Sequence, residues 1–475
     1  MLVRQIVDPA LAQYAYLIGC PRTGEAIVID PERDIDRYEA LAARHKLRIV
    51  AAADTHIHAD YLSGLREFAA KGVMVYASGE GGADWSYEWL TGSAYPHRLV
   101  THGDRFRVGN VELQVLHTPG HTPEHVVYTV TDLGAGATEP IGVATGDFVF
   151  VGDLGRPDLL EQAAGVSGTQ EPGARDLYRS LATFRALPPH VQVWPAHGAG
   201  SACGKSLGDV PMSTVGYELR FNPAVKAADS EQHFVDYILS GQPEPPMYFA
   251  RMKRDNKVGP RVLGGVPTIA HLDQEALRAL AGRREVVVVD TRPRAEFLPA
   301  HLPGSLLAEL DFQFVNITGS YIDAGIPIYL VIDEARVDEA VRMLLRIGLD
   351  DVRGYVTPAD LEAYRRAGGA TAAIERIDMV ELERRRTAGG VHVLDVRGAV
   401  DYEVAHVPAA QQIAHTRLFV RLAEVPVTQP VLVHCASGAR SAHAAALLAR
   451  HGYTVSTVAD QFANYRPSTA STSAA

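Results

Sequence analysis

Along roughly the first 250 residues, short apolar runs alternate with longer stretches whose apolar positions recur at helical spacing. The runs YAYLIG, EAIVID, RIVAAADT, VELQVLHT, IGVATGDFVF and VQVWPAHG are of strand length and rich in β-branched and aromatic residues. Strands alternating with helices predict a layered α/β structure. The runs tend to end in histidine, aspartate or glycine, so polar groups gather where strands meet loops. A basic, glycine-rich stretch, KVGPRVLGGVP (Lys257 to Pro267), reads as a linker.

Beyond it the pattern repeats. VVDTRPRAEFLPAHLPGS (Val288 to Ser305) matches VLDVRGAVDYEVAHVPAA (Val393 to Ala410). Asp290 pairs with Asp395, Arg292 with Arg397, Phe297 with Tyr402, His301 with His406 and Pro303 with Pro408, a constant offset of 395 − 290 = 105. Further on, ARVDEAVRMLLRIG (Ala335 to Gly348) matches ARSAHAAALLARHG (Ala439 to Gly452). A repeat of about 100 residues is a domain rather than a solenoid unit. The expected organisation is a first domain over 1–255, two α/β copies over 268–367 and 373–467, and a disordered tail, STASTSAA, over 468–475.

Length and charge narrow the picture. A chain of 475 residues is too long for one core, and about three domains is the expectation. A net charge of −11 gives no electrostatic footprint for nucleic acid. No apolar segment reaches the ~18–20 residues of a membrane span, and the N-terminal MLVRQIVDPALAQ carries charges where a leader needs an apolar run. The cysteines are Cys20, Cys203 and Cys435, an odd, sparse set that points to a reducing compartment, hence the cytoplasm. A homo-oligomer is expected, with no nucleic-acid or membrane partner.

One cysteine stands out. PVLVHCASGARSAHAAALLARHG reads as strand, loop, helix, with Cys435 opening the loop and Arg440 closing it. Backbone N–H groups of such a loop converge above the sulfur, and the following helix directs its positive end there. Both lower a thiol pKa and stabilise a bound anion. LDVRGAVDYEVAHVP followed by HCASGARS resembles the rhodaneses, which are sulfurtransferases. The loop is C-x4-R, one residue shorter than the C-x5-R of cysteine phosphatases. The resemblance implies that Cys435 is the nucleophile and carries a persulfide, cradled by Ala436, Ser437, Gly438, Ala439 and Arg440. The first copy has PIYLVIDEARVDEA there, without cysteine and with Asp333 expected nearest the nucleophile position, and reads as an inactive copy.

A second constellation lies in the first domain. His56, His58 and Asp60 sit in DTHIHADYLSG, His121 in HTPGHTPEH, Asp147 after IGVATG and His197 after VQVWPA, each just beyond an expected strand. Strand ends of layered α/β folds converge on one edge, so these groups can meet. The set H-x-H-x-D, H-T-P-E-H, T-G-D and P-A-H-G resembles the metallo-β-lactamase superfamily and implies an αββα fold for this domain, followed by two α/β rhodanese-like domains. In two-metal members, His56, His58, His121 and Asp147 would serve one metal, and Asp60, residue 61, His197 and Asp147 the other. Tyr61 removes a ligand, because a neutral phenol binds divalent ions poorly beside imidazole, so one metal is expected. The spacing admits two sites. His56, His58 and His121 would make a three-histidine zinc hydrolase. His56, His121 and Asp147 would make a two-histidine, one-carboxylate face suited to Fe(II).

TGDFVFVGDLGRPD (Thr145 to Asp158) and STVGYELRFNPAV (Ser213 to Val225) are similar to the persulfide dioxygenases of that superfamily. This resemblance implies one Fe(II) per chain on His56, His121 and Asp147, with zinc as a substitute. It places Thr145 and Arg156 in the thiol-substrate pocket, where a guanidinium could pair with an anionic carrier or a persulfide. His58, Asp60 and His197 become groups that orient the ligands. Tyr61 and Pro123 to His125 depart from the shorter glutathione-using enzymes. With the appended modules, they resemble bacterial persulfide dioxygenase–rhodanese fusions, whose thiol is coenzyme A, glutathione or similar. The implied reaction oxidises a thiol persulfide with O2 to sulfite, then transfers sulfane sulfur through Cys435 to sulfite as thiosulfate, a route of sulfide detoxification. The alternative is a zinc-dependent, glyoxalase II-like thioester hydrolase with a rhodanese attached. Cys203, in AHGAGSACGKS, could lie near the metal pocket or be structural.

Overall fold

The computed structural model of the chain describes residues 1–159, 161 and 168–467. The tail expected over 468–475 lies outside them. Two compact units emerge: Met1–Val266 with Leu345–Gly348, and Pro267–Leu344 with Leu349–Ala475.

In the first unit, strands β1 (Leu2–Asp8), β2 (Gln13–Cys20), β3 (Glu25–Ile29), β4 (Arg48–Ala53), β5 (Met74–Ser78) and β6 (His97–Val100) form one sheet in chain order. A second sheet runs β12-β11-β10-β9-β8-β7, from β7 (Arg105–Val108), β8 (Val111–His117), β9 (Val126–Asp132), β10 (Gly142–Gly146), β11 (Gln192–Pro195) and β12 (Ser213–Thr214). The period-2 alternation of β2 divides its side chains between two cores. Tyr14, Tyr16, Ile18 and Cys20 face the second sheet, packing with Val111, Leu113, Tyr128 and Trp194. Ala15 and Leu17 face the other way, onto Tyr38 and Ala42 of the helix Asp36–Arg44 and Phe68 of the helix Leu65–Ala70. The second sheet is covered in turn by Leu177, Leu181 and Phe184 of the helix Gln170–Arg185 and by Phe234 and Ile238 of Glu231–Leu239. Four layers, αββα, result. Each fully buried aliphatic or aromatic side chain contributes about 1.5–3 kcal/mol to that packing, and the sheets run as near-continuous apolar strands because both faces are covered.

The boundary expected at residue 255 falls inside the helix Phe249–Val258. Lys257 and Val258 therefore belong to a helix rather than to a linker. The stretch after it is also held. The Arg66 guanidinium donates to the carbonyls of Gly259 and Pro260, and the Glu67 carboxylate accepts from Leu263 and Gly264 N–H.

The second unit holds two parallel five-stranded sheets. Strands β13 (Ala270–His271), β14 (Val287–Asp290), β15 (Leu306–Leu307), β16 (Ile328–Val331) and β17 (Val352–Val356) are ordered β13-β17-β16-β14-β15. Strands β18 (Glu375–Ile377), β19 (His392–Asp395), β20 (Gln411–Gln412), β21 (Val431–His434) and β22 (Val455–Val458) are ordered β18-β22-β21-β19-β20, the same arrangement one repeat later. The repeated residues make repeated bonds. Arg292 pairs with Asp290 at 2.7 Å and Arg397 with Asp395 at 2.6 Å. His301 stacks on Phe297 and His406 on Tyr402, with ring centroids 4.0 and 4.1 Å apart. Phe297, Leu298 and Leu307 of the first sheet's module pack with Ala442, Ala445 and Ala446 of the second's.

Register corrects one expectation. Asp290 lies opposite Val331, and Asp395 opposite His434. Ile332, not Asp333, therefore stands where Cys435 stands in the other copy. The strand-to-helix loop is one residue shorter in the first copy, Val331 to Ala335 against His434 to Ala439.

No helix among the described residues is long and apolar enough to cross a membrane.

Candidate metal centre and cysteine loop

The loops after β4, β8, β10 and β11 bring His56, His121, Asp147 and His197 to one edge of the first unit. Each is fixed by a specific partner. The Thr55 hydroxyl donates to Asp30 Oδ2 at 3.0 Å and so accepts from His56 Nδ1, also at 3.0 Å. His121 Nδ1 lies 2.9 Å from the Arg156 carbonyl, which can only accept. Both rings therefore carry the proton on Nδ1 and leave Nε2 as a bare lone pair. Asp147 donates its backbone N–H to His125 Nε2 at 3.1 Å, and His125 Nδ1 contacts Thr118 Oγ1 at 2.9 Å. Burial pushes His125 down to about 3, so it stays neutral and can accept. The glycine of T-G-D is required by space and backbone alike: Gly146 has φ +52°, and a Cβ there would lie 2.5 Å from Thr55 Oγ1.

The exposed lone pairs then face one another. His121 Nε2 is 3.4 Å and His56 Nε2 4.0 Å from Asp147 Oδ2. His56 Nε2 and both carboxylate oxygens of Asp147 are buried without a hydrogen-bond partner. Such convergence is unfavourable unless a cation sits among the donors. Burial and the neighbouring imidazoles hold His56 and His121 well below the usual histidine range, so protonation does not relieve it. Burial pushes Asp147 up to about 6 against the pull of the neighbouring imidazoles His197 and His58. The donor set of two neutral imidazoles and a carboxylate fits a divalent metal, its ligand atoms all lying within 4.8 Å of one another.

His58 turns away from this trio. Its Nε2 is 3.2 Å from Asp30 Oδ1 and 3.0 Å from the Tyr61 hydroxyl, which donates on to the Asp30 carbonyl at 3.3 Å. Burial opposes a charge on His58, but the Asp30 carboxylate and its hydrogen bond raise it to about 9. Tyr61 is fully buried and stacks on His58, with centroids 4.4 Å apart. Asp60 and His197 form a separate group with Cys203.

Thr145 and Arg156, expected in the substrate pocket, are engaged by the protein's own groups. Thr145 is fully buried and donates to the Val149 carbonyl at 2.7 Å. Arg156 is 1% exposed. Four of its five N–H donors are engaged: two by Asp158 at 2.8 and 2.6 Å, and two by the carbonyls of Ala202 and Pro243 at 3.1 and 2.6 Å. A cavity of about 650 Å³ is lined by Ile57 and Gly120, the chain neighbours of His56 and His121, and by Trp85, Pro123, Lys253 and Arg254 among others. Sequence reasoning missed Thr55, His125, Glu124 and Asn256. Glu124 Oε1 accepts from Ile57 N–H at 2.8 Å, and Asn256 donates to the carbonyls of His58 and Tyr61. Thr55 and His125 adjoin motif residues, which was a usable signal. Asn256 gave none, being 198 residues from His58.

In the second unit, Cys435 follows β21 and is 1% exposed. Gly438 N–H points at its sulfur at 3.2 Å, and Ser441 Oγ lies 3.7 Å away. Gly438, at φ +86°, turns the chain into the helix Ala439–Arg450. A Cβ at Gly438 would sit 3.1 Å from Ala459 Cα. Arg440 contacts Asp401 at 3.7 Å, and Ser437 is exposed at the rim.

Comparison with known proteins follows the same division. The metallo-β-lactamase superfamily model matches residues 8–197, and the rhodanese-like domain model matches residues 378–466. A probable metallo-hydrolase of Burkholderia pseudomallei (strain 1710b) is 30% identical over 265 residues, covering 50% of this chain and 84% of that protein. The chain belongs to the metallo-β-lactamase superfamily and carries a C-terminal rhodanese-like domain. Bovine mitochondrial persulfide dioxygenase ETHE1 is 28% identical over 237 residues, 49% of this chain and 78% of its own. The 2.1 Å crystal structure of a metallo-β-lactamase from Staphylococcus aureus subsp. aureus COL is 40% identical, with a TM-score of 0.67 over 75% of this chain and 99% of that one. Both families are families of enzymes, and the first is consistent with the metal-binding donor set described above.

Proposed function

We propose that this chain is an iron-dependent persulfide dioxygenase joined to a sulfurtransferase. The observation that carries the reading is the His56–His121–Asp147 face in one chain with a C-x4-R cysteine loop. Two imidazoles and a carboxylate leave open positions and suit Fe(II), which when bound supplies binding and activation of O2. A persulfide dioxygenase among the relatives supports the substrate class.

The chain's own residues perform the remaining work. Thr55 and the Arg156 carbonyl hold the two imidazoles in the tautomer that presents Nε2, and His125 anchors Asp147. The cavity beside Gly120 and Pro123 admits the thiol carrier, and Arg254 offers a cation to its anionic groups. The net reaction is RSSH + O2 + H2O → RSH + sulfite + two protons. At the other site the Cys435 thiolate attacks the terminal sulfur of a second RSSH, releasing RS⁻ and leaving Cys435–S–SH. Sulfite then attacks that terminal sulfur, and the S–S bond electrons return to Cys435 as thiosulfate leaves. Gly438 N–H, aimed at Sγ, stabilises the thiolate in both steps. The joint outcome is disposal of sulfide as thiosulfate.

A hydroxyacylglutathione hydrolase of Rhodospirillum rubrum, 28% identical over 251 residues, favours a second reading, zinc-dependent thioester hydrolysis. Anaerobic reconstitution with Fe(II), followed by O2 uptake with a thiol persulfide, separates them. Stoichiometric uptake supports the dioxygenase. No uptake, with thioester hydrolysis under zinc, overturns it.

A further inference from the structure

Within the second unit, the copy without a cysteine abuts the elements that carry Cys435. The helix Ala439–Arg450 packs Ala442, Ala445 and Ala446 on Leu307 of β15, and its His443 Nε2 lies 3.7 Å from Glu309 Oε2. The turn His415–Arg417 packs both on that helix and on the first copy's helix Phe314–Tyr321. Tyr321, the last residue of the latter helix, shares the buried neighbourhood of Cys435: burial, and then the Cys435 thiolate, push its hydroxyl pKa up. The phenol therefore stays protonated and is a donor.

That donor is unused. Tyr321 is 3% exposed, and its hydroxyl has no hydrogen-bond partner among the described residues. Buried tyrosine hydroxyls usually find one, and an unmade bond costs about 1–3 kcal/mol. The groups around Cys435 serve Sγ itself: Gly438 N–H at 3.2 Å and Ser441 Oγ at 3.7 Å. A persulfide adds a second sulfur about 2 Å beyond Sγ, and as an anion it needs a donor of its own when buried. His415 brings it no charge, since burial, Arg440 and His443 hold this imidazole down at about 3.

We propose that Tyr321 is a catalytic residue of the sulfur-transfer site, its O–H donating to the outer sulfur of the Cys435 persulfide. The copy that lost its cysteine thus supplies the hydrogen bond that holds the sulfur in transit. The contact forms when the outer sulfur arrives and ends when it leaves. Sulfite's lone pair forms the new S–S bond, the bond to Sγ breaks, its electrons return to Cys435, and the Tyr321 proton stays in place. This inference rests on the reading that Cys435 carries a persulfide.

The test compares the full wild-type chain with Tyr321→Phe. Each is equilibrated anaerobically with thiosulfate and sulfite at varied ratios, and the mass of the Cys435 peptide reports the bound sulfur. In Tyr321→Phe the thiosulfate-to-sulfite ratio that half-loads Cys435 should rise about tenfold or more, the size of a lost hydrogen bond to a charged group. The Tm of the sulfur-free chain should stay the same or rise, because the hydroxyl removed had no partner. Loading should raise the wild-type Tm more than that of Tyr321→Phe. Equal half-loading ratios overturn the inference. So does a lowered Tm in sulfur-free Tyr321→Phe, which would show that the hydroxyl already had a structural partner. A wild-type Cys435 that takes up no sulfur at any ratio sinks the persulfide reading itself, and the inference with it.

Discussion

Arg156→Met tests whether this arginine binds substrate or holds the metal edge together. The side chain is 1% exposed, and methionine fills much of its volume without its charge. The change strands Asp158, 4% exposed, and two buried carbonyls that had accepted at 3.1 and 2.6 Å. Removing one partner of a buried, hydrogen-bonded ion pair costs about 3–5 kcal/mol. For a unit of this size that lowers Tm by roughly 10 °C. Calorimetry of the full chain should therefore show the first unit's transition shifted down by that order. Well below the transition, KM for the persulfide should stay within about twofold, because the guanidinium does not line the cavity. A KM raised tenfold or more with Tm unchanged would refute the reasoning and return Arg156 to the substrate.

Other perturbations read different parts of the structure. Gly438→Ala forces an alanine to φ +86° against Ala459, costing about 1–2 kcal/mol for the backbone alone. It should cut sulfur transfer from thiosulfate while leaving persulfide-dependent O2 uptake intact. Burial alone would push the Glu309 carboxyl up, but His443 and the Arg294 N–H and guanidinium hold it down at about 2. A depressed folded-state pKa contributes stability above the unfolded value and loses it as pH falls through the folded one. Glu309→Gln should therefore destabilise the second unit at pH 6, by at most about 3 kcal/mol before screening is discounted, and lower its Tm accordingly. The difference from wild type should shrink between pH 4.5 and about pH 2. A pH-independent difference would show that packing, not charge, is what the substitution removes.

Much of this architecture was legible along the chain because its signals are local. Runs such as YAYLIGC specify strands buried on both faces, and both faces of β2 are indeed covered. The repeat was readable because Arg292–Asp290 and Arg397–Asp395 are short-range pairs that each copy must keep. The metal motifs marked the right strand ends, since loops after adjacent strands meet at one edge whatever the loop contents. What sequence could not show was which way each donor points. His58 lies two residues from His56 yet faces Asp30, a choice set by a carboxylate from a different strand end. Arg156 looked free because its partners Ala202 and Pro243 contribute only carbonyls, which carry no residue-type signal. Cys203 reaches the Asp60–His197 pair through a loop pinned by those same contacts.

The central claim is that one chain makes sulfite at the metal edge of its first unit and consumes it at Cys435. Product analysis with a single thiol persulfide under O2 tests this most directly, comparing the wild-type chain with Cys435→Ser, each loaded with Fe(II). The account predicts thiosulfate from the wild type, and sulfite in its place, at an undiminished rate of O2 uptake, from Cys435→Ser. Thiosulfate formed equally by both chains, or loss of O2 uptake in Cys435→Ser, would contradict it.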